Sequence, residues 1–234
     1  MRLDKYLQKN SYTVSRNQAQ ELIKNKKVKV ADKIITKPSF KIENQMIEIL
    51  EDVIYVSRAA YKLKSFFDDN NINVNEKICL DIGSSTGGFV QILCQYGAKR
   101  VTAVDVGRDQ LSHILKENPK VISFEGKDIR DFESGFCFDF VSCDVSFVGI
   151  EHILKDIDRL ANYEIVILFK PQFQVGREVK RDKNGVVKDA KAIILQRQIF
   201  EKRTSVLGWE LIKKEHSKVK GKEGNEEIFY YFKK

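Results

Sequence analysis

The stretch Lys77-Ile78-Cys79-Leu80-Asp81-Ile82-Gly83-Ser84-Ser85-Thr86-Gly87-Gly88-Phe89 decides the fold. Its apolar half has the length of a buried strand and runs straight into a glycine-rich turn, after which Val90, Ile92 and Leu93 repeat at helical spacing. A second strand-like run, residues 100–104, ends at Asp105, twenty-two residues after Gly83. Strand, glycine turn, helix, strand and acid is the layout of a nucleoside site at the C-terminal ends of parallel strands. The glycines let backbone approach a ligand, and Asp105 is suited to accept from both ribose hydroxyls. Residues 121–124, 138–143 and 164–169 continue the sheet. Leu211 and Ile212, then residues 228–232, supply a last pair, the final strand antiparallel. Seven strands with interleaved helices predict a doubly wound, Rossmann-like α/β domain.

The turn also selects the nucleoside. A phosphate loop needs Gly-Lys-Ser/Thr, but Gly88 is followed by Phe89. A dinucleotide turn reads G-x-G-x-x-G, whereas here Asp81 precedes Gly83-x-x-x-Gly87-Gly88. D-x-G-x-x-x-G-G resembles the first motif of S-adenosylmethionine-dependent methyltransferases. A carboxylate at that turn suits a sulfonium ligand with an ammonium group and is poorly placed beside a pyrophosphate. That resemblance gives cofactor roles to Asp81, Gly83, Ser84, Ser85, Thr86, Gly87 and Gly88. Asp105 and Val106, Asp128 and Ile129 (with Asp128 on the adenine amino group), and Asp144 complete the set.

Composition sets outer limits. The 234 residues are 42% hydrophobic and 32% charged, with three prolines and thirteen glycines, which fits a globular chain and excludes collagenous or low-complexity classes. No apolar run approaches the roughly 18–20 residues of a spanning helix. The start, Met1-Arg2-Leu3-Asp4-Lys5-Tyr6, lacks the apolar stretch of a signal peptide. Cys79, Cys94, Cys137 and Cys143 form no CxxC pair, and His113, His152 and His216 have no ligand spacing. The expectations are no metal and a reducing cytoplasm. The net charge of +8 is segregated: residues 1–56 carry eleven basic and seven acidic side chains, 57–169 thirteen and seventeen, and 170–234 seventeen and nine. Two basic surfaces around an acidic middle point to a nucleic-acid partner.

The first fifty residues read as two helices and a small sheet. Leu3, Tyr6 and Leu7 recur at helical spacing, and Ser15 is an N-cap for a second helix that buries Ala19, Leu22 and Ile23. Val28-Lys29-Val30 and Ile34-Ile35-Thr36-Lys37 flank the turn Ala31-Asp32-Lys33, Pro38 halts pairing, and Ile42, Met46, Ile47 and Ile49 suggest a further strand or two. Arg2-Leu3-Asp4-Lys5-Tyr6-Leu7, Ser15-Arg16-x-x-Ala19-x-x-Leu22-Ile23, Val28-x-Val30 and Lys37-Pro38 resemble the small RNA-binding fold named after ribosomal small-subunit protein four. That fold has glycine at Lys26 and Asn-Gly at Ala31-Asp32. The resemblance implies RNA contacts, to phosphate and shape more than to base edges, from Arg2, Lys5, Arg16, Lys24, Lys26 and Lys27, joined by Arg58. The expected layout is an RNA-binding domain over 1–50, a linker over 51–56 and a catalytic domain over 57–234.

The methyl acceptor is narrowed by elimination. Asp144-Val145-Ser146-Phe147 lacks the prolines of the motif that methylates base amino groups, and Cys143 follows Ser142 rather than proline, against pyrimidine carbon-5. A hydroxyl fits better, and a weakly acidic ribose 2′-OH needs a base or strong electrostatic help. At this point the chain resembles the TlyA-type, haemolysin A-like rRNA 2′-O-methyltransferases, with an FtsJ/RrmJ-like catalytic domain. The residues that carry the resemblance are Ser57-Arg58-Ala59-Ala60-Tyr61-Lys62-Leu63, the turn 81–89, Ala103-Val104-Asp105-Val106-Gly107, Asp128-Ile129-Arg130, Cys143-Asp144-Val145-Ser146-Phe147, Phe169-Lys170-Pro171-Gln172-Phe173, Gly185-Val186-Val187-Lys188-Asp189 and Gly224-Asn225-Glu226-Glu227. Departures are Ala59-Ala60 for Gly-Gly and Asp128 for Asn. The family's Lys-Asp-Lys-Glu tetrad falls on Lys62, Asp144, Lys170 and Glu227, with Glu226 the alternative if the last strand slips by one residue. The resemblance implies that Lys170 activates the 2′-OH, as base or as electrostatic positioner, that Asp144 orients it, and that Lys62 and Glu227 position the ribose. It also implies S-adenosylmethionine as cofactor, a cytidine of 23S rRNA as acceptor with 16S rRNA as a second candidate, and ribosomal RNA or a ribosomal subunit as partner. No membrane partner is required, and the oligomeric state is left open. Two other classes stand beside it: a membrane-active haemolysin, and an RNA-binding protein with a vestigial methyltransferase domain.

Overall fold

A computed structural model describes residues 1–10, 12–13, 15–43, 45–50, 55–176 and 178–234, and divides them between two units, Met1–Ser57 and Arg58–Lys234. The first unit comprises α1 (Leu3–Lys9), α2 (Arg16–Lys24), β1 (Val28–Val30), β2 (Lys33–Ile34) and β3 (Ile47–Ile49). Ser15 caps α2, its hydroxyl accepting from the Gln18 amide at 3.2 Å. Leu3, Leu7, Ala19, Leu22, Ile23, Val28, Val30 and Ile42 make one core between the helices and a sheet with β1 at its centre. The turn from β1 to β2 puts Ala31 at φ 45° and Asp32 at φ 64°, and Lys26 stands at φ 62°. The positions where the resembled fold has Gly or Asn-Gly thus keep the left-handed backbone without the residues that favour it, at roughly 1 kcal/mol or more each. β2 ends at Ile34, short of the expected Lys37, although the Ile35 amide still donates to Val28. Of the expected linker, 51–54 lie outside the described residues. Tyr55 and Val56 are buried, and the Tyr55 carbonyl accepts from the Gln18 side chain.

The second unit runs α3 (Arg58–Asn70), β4 (Ile78–Ile82), α4 (Gly88–Gln95), β5 (Arg100–Asp105), α5 (His113–Lys116), β6 (Val121–Glu125), β7 (Phe138–Cys143), α6 (Leu154–Leu160), β8 (Ala161–Phe169), α7 (Pro171–Gln174), α8 (Ala190–Val206), β9 (Glu210–His216) and β10 (Ile228–Lys233). Among the described residues its sheet has seven strands in the order β6-β5-β4-β7-β8-β10-β9. The first five of these pair in parallel, and β10 runs antiparallel to both β8 and β9. The expected α/β class and strand set are thus observed. The chain winds outward from β4 to β5 and β6, then returns to the other side of β4 as β7. The strand ends of β4 and β7 therefore border a topological switch point, where such sheets bind ligands. Leu80, Ile82, Val141, Ile165, Ile167, Phe169, Tyr230 and Phe232 fill one side of the sheet. On α3, Phe66 stacks on Phe229 of β10 with ring centroids 4.5 Å apart. That contact turns the residue one helical turn earlier, Lys62, toward the same strand. Among the described residues no helix is long and apolar enough to cross a membrane.

Candidate active site

The tetrad is assembled by register. Ile228 faces Phe169 across β10 and β8, so Glu227 and Lys170 are the next residues beyond that ladder. Asp144 follows β7, its amide donating to the Ile82 carbonyl at 2.9 Å. Lys62 Nζ stands 2.6 Å from Glu227 Oε2, and Lys170 Nζ 2.8 Å from Asp144 Oδ1. Burial pushes the Asp144 carboxyl up, while Lys170 and then Lys62 pull it down and Glu227 raises it. All four residues therefore act on one another. Two cations and two anions balance, which is the condition for burying Lys62, Lys170 and Glu227. Glu226, the alternative at this position, is exposed and pairs with Lys220 at 3.1 Å.

Two side chains with no assigned role join the cluster. Gln172 donates to Glu227 Oε1 at 2.9 Å, and Ser146 accepts from Lys170 Nζ at 2.8 Å. Both lie in motifs quoted above, Phe169 to Phe173 and Cys143 to Phe147, and motif membership was the only sign of them in the sequence. Gly221 is needed for closure, since a Cβ there would meet Glu227 Oε1 at 2.7 Å.

Beside the tetrad, a cavity of about 560 Å³ opens at the strand ends. Of the residues expected to hold a cofactor, Gly83, Ser85, Asp105, Val106, Asp128, Ile129 and Asp144 line it. Asp105 accepts from the Ser85 amide at 2.8 Å and the Gly107 amide at 2.6 Å, which ties the glycine turn to the end of β5. Gly83 has φ 79°, and a Cβ would stand 3.1 Å from the backbone of Asp144 and Val145, so this approach admits no side chain. Asp128 is held by Arg130, whose guanidinium and amide both donate to it and lower its carboxyl from the ordinary value. The lining also includes Gln110, Lys127, Arg130, Ser146 and Phe147, which the motifs did not single out for the cofactor.

The remaining expected residues are not part of this wall. Asp81 pairs directly with Ser142 across β4 and β7 and accepts from its hydroxyl at 2.6 Å, fully buried within the sheet. Its place inside the strand, rather than in the turn, keeps the carboxyl off the cavity. Ser84 is buried, Thr86 faces outward, and Gly87 and Gly88 open α4. A Cβ on Gly87 would strike Leu115 at 2.2 Å, so that glycine serves packing.

Six of the seven expected RNA contacts lie in the first unit, around α1 and α2. Asp4, fully buried, accepts from Arg2 at 3.0 Å, Arg16 at 2.9 Å and Gln20 at 2.8 Å, and these donors, Arg2 foremost, hold it far below the usual carboxylate range. One buried acid thus fixes two of the arginines. Lys5, Lys24 and Lys26 are exposed or nearly so. Arg58 belongs to the second unit and donates to the Lys220 carbonyl at 2.5 Å.

Comparison with known proteins bears on the whole length. The FtsJ-like methyltransferase model matches residues 55–234, and the S4 domain model residues 1–46. The 23S rRNA (cytidine-2′-O)-methyltransferase TlyA of Campylobacter jejuni is 46% identical over 252 residues, covering 99% of both chains. The 16S/23S rRNA (cytidine-2′-O)-methyltransferase TlyA of Mycobacterium tuberculosis is 32% identical over 240 residues, covering 99% of this chain and 89% of that one. A solved Streptococcus thermophilus protein assigned to the hemolysins superposes with a TM-score of 0.75 at 30% identity, over 100% of this chain and 88% of its own. Both units are therefore shared with proteins of one lineage, and this chain belongs to the TlyA family of FtsJ-like methyltransferases.

Proposed function

We propose that this protein transfers the methyl group of S-adenosylmethionine to the ribose 2′-OH of a cytidine in ribosomal RNA, with 23S rRNA as the substrate. The observation that carries the reading is the buried Lys62–Glu227 and Lys170–Asp144 pairs, of which Asp144 lines a cavity of suitable size. About 560 Å³ lies within the roughly 300–1,000 Å³ of small-molecule sites. Asp105 and the backbone of Gly83, Ser85 and Gly107 would hold the nucleoside, with Asp128 and Ile129 along the base. When bound, S-adenosylmethionine supplies an electrophilic methyl group on a sulfonium.

The chain's own residues do the rest. Lys170 directs the 2′-OH and, in its neutral amine form, takes up the proton that leaves as the oxygen gains the methyl group; Asp144 fixes the direction of Nζ, and the Lys62–Glu227 pair positions the ribose. The basic surface of the first unit supplies affinity for the phosphate backbone. A ribosomal substrate places the protein in the cytoplasm. Incubation with labelled S-adenosylmethionine and undermethylated ribosomal subunits, followed by mapping of the product, tests the reading. Ribose methylation at a cytidine, lowered at least about 100-fold by Lys170→Ala, is expected. Transfer that is absent, or indifferent to Lys170→Ala, overturns it.

A further inference from the structure

Lys170 Nζ has three oxygen neighbours: Asp144 Oδ1 at 2.8 Å, Ser146 Oγ at 2.8 Å and the Asp144 backbone carbonyl at 3.3 Å. An ammonium offers three N–H donors, whereas a neutral amine offers two and a lone pair. A carboxylate and a carbonyl only accept, so neither can meet that lone pair. A hydroxyl both accepts and donates. Ser146 is therefore the member of this trio that can bond Nζ through either an N–H or the lone pair, whereas the two Asp144 oxygens bond it through an N–H alone. The other close groups cannot take its place: Lys62 and Glu227 are engaged with each other, and the Phe173 ring lies 5.9 Å from Nζ.

The placement of Ser146 supports this reading. It lines the cavity together with Asp144, Val145 and Phe147, and its hydroxyl touches Lys170 of the tetrad. The segment is braced on one side by Gly83, packed against Asp144 and Val145, and bent on the other by Phe147 at φ 66°. Left-handed backbone is unfavourable for a phenylalanine, and such strain is retained where surrounding structure fixes a functional geometry.

We propose that Ser146 is a positioning residue of the reaction, a hydroxyl that holds Lys170 Nζ on both sides of the proton movement that activation of the ribose hydroxyl entails. The inference rests on Lys170 being the activating group. Three chains are compared on undermethylated ribosomal subunits: wild type, Ser146→Ala and Ser146→Thr. Calorimetry with S-adenosylhomocysteine reports on the cavity. Ser146→Ala is expected to lower kcat about 10- to 100-fold at saturating substrates, with RNA KM and S-adenosylhomocysteine affinity within about threefold of wild type. Ser146→Thr, which keeps the hydroxyl, recovers most of that loss. An unimpaired Ser146→Ala, a loss of affinity in step with kcat, or a Thr variant no better than Ala overturns the inference alone. A wild-type chain that transfers no methyl group overturns the functional reading and the inference with it.

Discussion

Asp81 shows how far one residue type can be read before its surroundings are known. The motif offered it as a counter-charge for a cationic ligand, yet it lies fully buried against Ser142. Burial pushes its carboxyl up to about 8, against the Ser142 hydrogen bond and with smaller contributions from Asp144 and Asp105. An unfolded aspartate titrates near about 3.9, so between that pH and about 8 the folded chain holds a proton that the unfolded chain has lost. The resulting stability is complete in acid and declines as pH rises through 8, by at most roughly 1.4 kcal/mol per pH unit. Urea unfolding of wild type and Asp81→Asn at pH 5 and pH 8.5 should show the variant gaining on wild type at the higher pH. Parallel pH dependences in the two chains would refute the buried neutral acid.

At the scale of elements, the sequence was most legible where local chemistry and periodicity agree. The Ser15 cap, the apolar stripe of α2, the strand–turn–helix around Gly83 and the set of sheet strands with its antiparallel last member could all be read in advance. The tetrad was legible only through its motifs, because Lys62 and Glu227 are 165 residues apart and no local pattern links them. Ser146 and Gln172 lay inside those motifs but carried no role there, since hydroxyls and amides occur on any surface, and only the paths of β7 and β8 give them partners. The β1–β2 turn was the opposite case, with a well-defined geometry and the wrong residues in it. Ala31 and Asp32 both take positive φ, as a two-residue hairpin turn requires. Replacing them with Asn and Gly should stabilise the first unit by about 0.5–1 kcal/mol per position, seen as a higher thermal midpoint. No gain would mean that the turn is held by contacts other than its own backbone preference.

For the whole molecule, the first of the two charge boundaries falls at the division between the units. The acidic middle of the sequence lines the cavity, and the basic first unit holds Lys5, Lys24 and Lys26 beside arginines fixed by Asp4. Binding of ribosomal RNA should therefore weaken with salt. The slope of log K against log salt should fall by about one for each phosphate contact removed, so that Lys24→Ala combined with Lys26→Ala lowers it by about two. An unchanged slope would take these lysines off the RNA surface. The antiparallel last strand has a consequence for how the enzyme comes into being. Residues 82–153, which furnish the cavity wall, leave the ribosome long before Glu227 does, and β10 must insert between β8 and β9 before Lys62 has its partner. A nascent chain therefore has the residues of its cavity wall early and the Lys62–Glu227 pair last. Contacts this distant in sequence also form slowly. Competence to methylate is thus a late folding event, reached only by chains whose sheet is complete.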